Sequence, residues 1–142
     1  GGAMFGFDID PGPEPTIDFY QGQILRLGSV EFEVRFTPGH TPGHCILYVA
    51  NIRAERSDER SEERSRLRSA PLASASVCFC GDLIFAGSVG RTDFPGGNWE
   101  QLVESIKTQV FTMPDETRLL SGHGPETTVG EEKRHNPFVG DL

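Results

Sequence analysis

The eight residues Thr37-Pro38-Gly39-His40-Thr41-Pro42-Gly43-His44 constrain this chain more than any other stretch. Two Pro-Gly pairs so close together exclude a helix. Each proline fixes its own φ and withholds a backbone donor, and each glycine opens angles closed to other residues. The flanks are apolar: an alternating run from Val30 to Phe36 enters the loop, and Cys45 to Ala50 leads out. The pattern predicts a rigid strand–loop–strand unit holding imidazoles at a strand end, where a metal ion can be bound. Taken alone, the loop is equally well read as a tight turn with two exposed histidines.

Upstream, the proline-rich residues 8–15 read as an extended surface loop. Ile24 to Leu27, the turn Gly28-Ser29 and Val30 to Phe36 read as a hairpin. In its second arm Val30, Phe32, Val34 and Phe36 share one side and Glu31, Glu33 and Arg35 the other, which predicts a strand with one buried face. Downstream the texture changes. Residues 51–76 read as a charged, disordered insertion, since 53–68 are nearly all Arg, Glu, Asp and Ser and cannot bury enough surface to offset their ordering entropy. The fold is expected to resume at Val77-Cys78-Phe79-Cys80, a short strand that ends in Gly81-Asp82. A carboxylate placed there sits at a sheet edge, where ligand sites form; the same Asp could simply start a turn.

Residues 87–97 form a glycine-rich loop whose spacing is wrong for phosphate binding, with Arg91 and Asp93 expected to bond within it. Asn98 with Gln101 predicts an N-cap and a helix to about Thr108, its core face made by Trp99, Leu102, Val103, Ile106 and Val110. A short strand, Thr117 to Leu120, hands off to Ser121-Gly122-His123-Gly124-Pro125. Thr128 with Glu131 predicts a second capped helix, ending before Pro137. Three strand-to-loop junctions thus carry His40, Asp82 and His123, and imidazole plus carboxylate is the ligand chemistry of zinc or iron centres that keep a position open for water.

Composition narrows the partners. A formal charge of −8 argues against nucleic acid or an anionic membrane surface. No stretch is long enough to span a bilayer. The three cysteines, Cys45, Cys78 and Cys80, lie in apolar runs and read as buried free thiols of a reducing compartment, with metal ligation by Cys78 and Cys80 the alternative. A cytoplasmic protein is the expectation. The opening Gly-Gly-Ala-Met reads as a tag remnant or a start within a longer protein.

Together, Thr37 to His44, Phe79-Cys80-Gly81-Asp82 and Gly122-His123-Gly124 resemble the metallo-β-lactamase superfamily, and within it the glyoxalase II (hydroxyacylglutathione hydrolase) branch. Gly90-Arg91-Thr92-Asp93-Phe94 and the tail Glu131 to Pro137 strengthen the likeness. The resemblance implies an α/β fold: part of an αβ/βα sandwich, a mixed sheet with flanking helices, in a single partial domain over 1–142. It implies that His40 binds a first metal, Asp82 bridges two and also orients the attacking hydroxide, and His123 binds the second. Zinc is implied, two ions per complete site, with iron or manganese as alternatives. His44 is expected to support or pack, and His135 to lie on the surface. The family's Thr-His-x-His-x-Asp-His signature has no counterpart here. The chain therefore reads as the C-terminal portion of the domain, short of a closed set of ligands.

The implied function is metal-dependent hydrolysis of thioesters such as an acylated glutathione. Two alternatives are a persulfide dioxygenase-like enzyme with one iron, suggested by residues 90–94, and an inactive half-domain that acts by association, as a homo-oligomer or with a missing N-terminal half.

Overall fold

The structure, a computed structural model, describes residues 12–52 and 75–140. The core of the expected insertion, residues 53–74, lies outside the described residues, as does the start of the proline-rich segment.

The anticipated hairpin forms with β1 at Ile24–Leu27 and β2 at Val30–Phe36, in antiparallel register with Leu27 opposite Val30. β3 (Cys45–Ile52) pairs antiparallel with β2, and β4 (Ala75–Gly81) antiparallel with β3. Two residues at each end of the expected insertion therefore belong to strands. β5 (Ile84–Phe85) and β6 (Ser88–Val89) make a small separate hairpin, which the sequence pattern did not predict because each arm is only two residues long. The helix α1 (Trp99–Ser105) begins where expected, with the Asn98 side chain accepting from the Gln101 N–H at 2.9 Å. Such a cap contributes about 1 kcal/mol. The helix continues past Ser105 as a wider π-helical turn over Ile106–Val110, in which Phe111 N–H donates to the Ile106 carbonyl five residues back. β7 (Arg118–Ser121), β8 (Thr127–Thr128) and α2 (Val129–His135) complete the order, and Thr128 caps α2 by accepting from Glu131 N–H.

The large sheet runs β1-β2-β3-β4-β7-β8, all antiparallel except β4 beside β7. A parallel pair needs a long crossover, and the segment containing α1 supplies it. The sheet is mixed and has helices against one face, so the expected α/β class holds.

The burial of β2 departs in part from the expectation of one buried face. The main core packs Leu102, Ile106, Val110, Val129 and Val139 against Ile46, Cys78, Cys80 and Leu119. The other face carries Val34, Leu47, Phe79 and Leu120 in one register row. The alternation of β2 is real and Val34 is fully buried, but the apolar side of that strand is the one without a helical layer, so Phe36 and Phe79 stay 41% and 44% exposed. Trp99 also departs: it is 43% exposed rather than packed with Leu102 and Ile106. The periodicity assigned it to the apolar face, but as the first helical residue it sits at the rim.

All three cysteines are free, and Cys78 and Cys80 lie under the helices. Burial raises both thiols well above their ordinary range, Cys80 to about 12. Among the described residues no helix is long and apolar enough to cross a membrane.

Candidate metal and substrate site

β2 and β4 are both antiparallel to β3, and β7 is parallel to β4, so these three strands point the same way. Their C-terminal ends therefore meet one edge of the sheet. The loops leaving those ends carry His40, Asp82 and His123, residues separated by more than forty positions and joined only by topology.

The Pro-Gly loop is bound to α1 rather than free. Asn98 N–H donates to the Gly39 carbonyl at 2.8 Å, and Ser105 Oγ donates to the Pro38 carbonyl at 2.7 Å. Gly39, at φ +141, lies so close to α1 that a Cβ on it would fall 2.4 Å from the backbone of Leu102. His40 is thereby held with its side chain only 14% exposed. Its Nδ1 lies 2.7 Å from the Arg91 carbonyl. A carbonyl only accepts, so Nδ1–H donates to it, and the neutral ring so held is the tautomer with Nε2 unprotonated.

The Nε2 edge of the ring faces Asp82. His40 Nε2 is 3.9 Å from Asp82 Oδ2, and His123 Nε2 is 3.3 Å from Asp82 Oδ1. Two glycines make room for the carboxylate and its loop. A Cβ at Gly122 would stand 2.6 Å from Asp82 Oδ1, and one at Gly90 would stand 1.9 Å from the Asp82 carbonyl and 3.4 Å from His40 Nδ1. One carboxylate thus sits between two imidazoles, each oxygen towards a different ring. His123 is the outlying member, its side chain 76% exposed.

The donor types suit a divalent metal, and the His40 tautomer is the one a ligating ring needs. Among the described residues, however, no three His, Cys, Asp or Glu side chains enclose an ion as a ready-made cage.

His44 lies behind this cluster. Its Nδ1 is 2.8 Å from the fully buried Thr37 hydroxyl, and its ring stands edge-on to His40 with centroids 6.1 Å apart. Burial first, and the neighbouring His40 second, hold its pKa below the usual imidazole value. It therefore packs and buttresses, in line with the expectation for it. His135 is on the surface, as expected, 3.9 Å from Glu131.

A cavity of about 410 Å³ opens in front of the cluster, lined by His40, Asp82, His123, Gly90 and Arg91 together with Phe85, Val89 and Phe94. Arg91 and Asp93 pair within their loop, as the sequence suggested, and the Arg91 guanidinium stacks 4.1 Å from the centre of the Phe94 ring. Its hydrogen bond draws the Asp93 carboxyl down to about 2. Phe85 and Val89 were missed as site residues. The only signal for them was the short apolar pair on either side of Ala86-Gly87, too brief to distinguish from a loop.

Comparison with known proteins agrees with this architecture. The metallo-beta-lactamase superfamily pattern matches residues 72–123. A hydroxyacylglutathione hydrolase, GloC of Haemophilus influenzae, is 39% identical over 119 residues, covering 84% of this chain and 45% of that protein. Among solved structures, the B3 metallo-beta-lactamase BLEG-1 superposes with a TM-score of 0.73 at 31% identity, covering 97% of this chain and 55% of its own. ETHE1 from Myxococcus xanthus gives 0.65 at 31%, covering 87% and 45%. TTHA1623, in a di-iron-bound form, gives 0.66 at 34%, covering 96% and 55%. The chain spans about half the length of the relatives it matches. By matched segment, by relatives and by the sheet that brings three strand ends together, the chain is similar to the metallo-β-lactamase superfamily over about half of those proteins' length.

Proposed function

We propose that this chain contributes part of a metal-dependent hydrolase site for small-molecule thioesters of the acyl-glutathione type. The observation that carries the reading is the Asp82 carboxylate set between His40 Nε2 and His123 Nε2. His40, Asp82 and His123 would hold the metal, zinc or iron by their chemistry. Such an ion supplies Lewis acidity and a water acidified towards neutral pH. The chain's own groups do the rest. Arg91's carbonyl fixes the His40 tautomer; Asp82 accepts a hydrogen bond from the attacking water and orients it; Phe85, Val89 and Phe94 screen the reacting carbonyl from bulk water. The 39% identity to GloC supports a glutathione thioester as the substrate.

A second reading, oxidation of a glutathione persulfide with one iron, is favoured by residues 90–94 and by the likeness to ETHE1. One experiment separates the two. The chain, alone and joined to an upstream segment carrying a His-x-His-x-Asp-His motif, is loaded with Zn²⁺ or Fe²⁺ and given an acyl-glutathione or a glutathione persulfide. The expected result is thiol release with Zn²⁺ that a chelator abolishes, with no oxygen uptake. Oxygen uptake with Fe²⁺ and no thiol release would transfer the assignment to the oxygenase. Thiol release indifferent to chelator would remove the metal from the mechanism.

Association without catalysis is the third reading, favoured by the apolar sheet face that no helix among the described residues covers. Sedimentation velocity over a concentration series is expected to show self-association of the isolated chain. A monomer at every concentration would remove this reading.

A further inference from the structure

Glu132 is 2% exposed, although nothing in the proposed chemistry uses it. It lies on α2, away from the cluster, and among the described residues no ion pair is made to it. Three neutral donors meet its carboxylate instead. Thr127 Oγ donates to Oε1 at 2.6 Å, while Gly87 N–H at 3.0 Å and Asn136 Nδ2 at 2.7 Å both donate to Oε2. Asn136 Nδ2 also donates to the Ser88 carbonyl at 3.0 Å. Burying a carboxylate is costly unless each oxygen is satisfied, and here it is.

Two of these bonds, to Gly87 and Ser88, grip the turn of the β5–β6 hairpin. That hairpin is the segment between two parts of the site. It leaves Asp82, places Phe85 and Val89 in the cavity wall, and returns through Gly90 to Arg91, whose carbonyl fixes the His40 ring. Its own pairing is only Ile84 with Val89 and Phe85 with Ser88, too few bonds to hold a hairpin still. Gly90 N–H on the Leu83 carbonyl closes its base. The anchor at the turn comes from α2.

We propose that Glu132, with Asn136, is a positioning residue: its buried carboxylate clamps the β5–β6 hairpin and so sets the Arg91 carbonyl that orients His40 for metal. Resting on the metal-site reading above, the proposal adds a residue that touches neither metal nor substrate.

The test compares Glu132→Met, which fills similar volume and accepts nothing, with Glu132→Gln on the full chain. A glutamine can turn its oxygen to Gly87 and Asn136 and its amide to the Thr127 hydroxyl, so it preserves the clamp. The readouts are the His40 ring tautomer by ¹H–¹⁵N NMR and the affinity for Co²⁺ alone. Glu132→Met is expected to mix the His40 tautomers and weaken Co²⁺ by roughly 10-fold, the usual effect of losing support behind a ligand, and Glu132→Gln to restore both. Should Glu132→Met not fold, Asn136→Ala, which frees Ser88 and half of the grip, carries the same expectation at smaller size. A folded Glu132→Met or Asn136→Ala with the wild-type His40 signal and Co²⁺ affinity overturns the proposal. So does a Glu132→Gln that behaves like Glu132→Met. If the wild-type chain binds no Co²⁺, the metal-site reading fails, and the His40 signal alone still decides whether Glu132 positions the ring.

Discussion

Replacing Asp82 by asparagine is expected to reduce Co²⁺ or Zn²⁺ affinity by at least about 100-fold while leaving the fold intact, since losing even a supporting group behind a ligand costs 10–100-fold. Asparagine keeps the shape and removes the charge. The Nε2 atoms of His40 and His123 lie 3.9 and 3.3 Å from the two Asp82 oxygens, so this carboxylate sits at the centre of the cluster. Asp82 is a third exposed and, among the described residues, pairs with no Lys or Arg, so stability should move by less than about 1 kcal/mol. Calorimetric titration with Co²⁺, beside a thermal melt of the metal-free protein, measures the two quantities separately. Equal affinity in the variant and the wild type would mean that any metal is held elsewhere, and the three strand-end residues would lose their proposed role.

The second large effect is on stability. Gly39→Ala is expected to destabilise the chain by about 3 kcal/mol, whereas Gly43→Ala should change it by less than about 0.5 kcal/mol. Both glycines follow proline and precede or lead to histidine in the same repeated tetrapeptide. At Gly39 an added methyl would lie 2.4 Å from the Leu102 backbone, and φ is +141; at Gly43 nothing lies within 4 Å and no unusual φ is required. The clash cannot be relieved by a flexible side chain, because the atoms in the way are those of α1 itself. Relief would push the helix from the loop and break the Asn98 to Gly39 hydrogen bond. A fall of about 10–15 °C in melting temperature for Gly39→Ala, against little change for Gly43→Ala, follows from the size of the chain. Equal melting temperatures would mean that the loop is not seated on α1 as described.

Much of this chain is legible one segment at a time. Short-range periodicity identifies β2, because alternation at period two is a property of the strand itself. The caps at Asn98 and Thr128 are legible for the same reason: side chain and N–H lie three residues apart. The junction residues His40, Asp82 and His123 could be singled out because each follows an apolar strand beside glycine. What those patterns left open was anything set by partners distant in sequence. Trp99 fits the helical stripe but lies at its exposed start. Phe85 and Val89 belong to strands too short to announce themselves. Glu132 reads as one more charge in a polar helix, and nothing near it in sequence says that Gly87 and Ser88 will seal it from water.

The amino-acid sequence by itself determined the positions of the main strands and helix starts, and the three strand ends that carry imidazole and carboxylate, since each of these depends on residues a few positions apart; the mixed α/β class followed only from the family resemblance. The tertiary structure alone decided that those ends share one edge, that the helices cover the face opposite the apolar side of β2, and that one of two identical Pro-Gly turns has no room for a methyl group. The reason is that strand direction, layer order and close approach depend on contacts between distant segments, and such contacts leave no period in the chain.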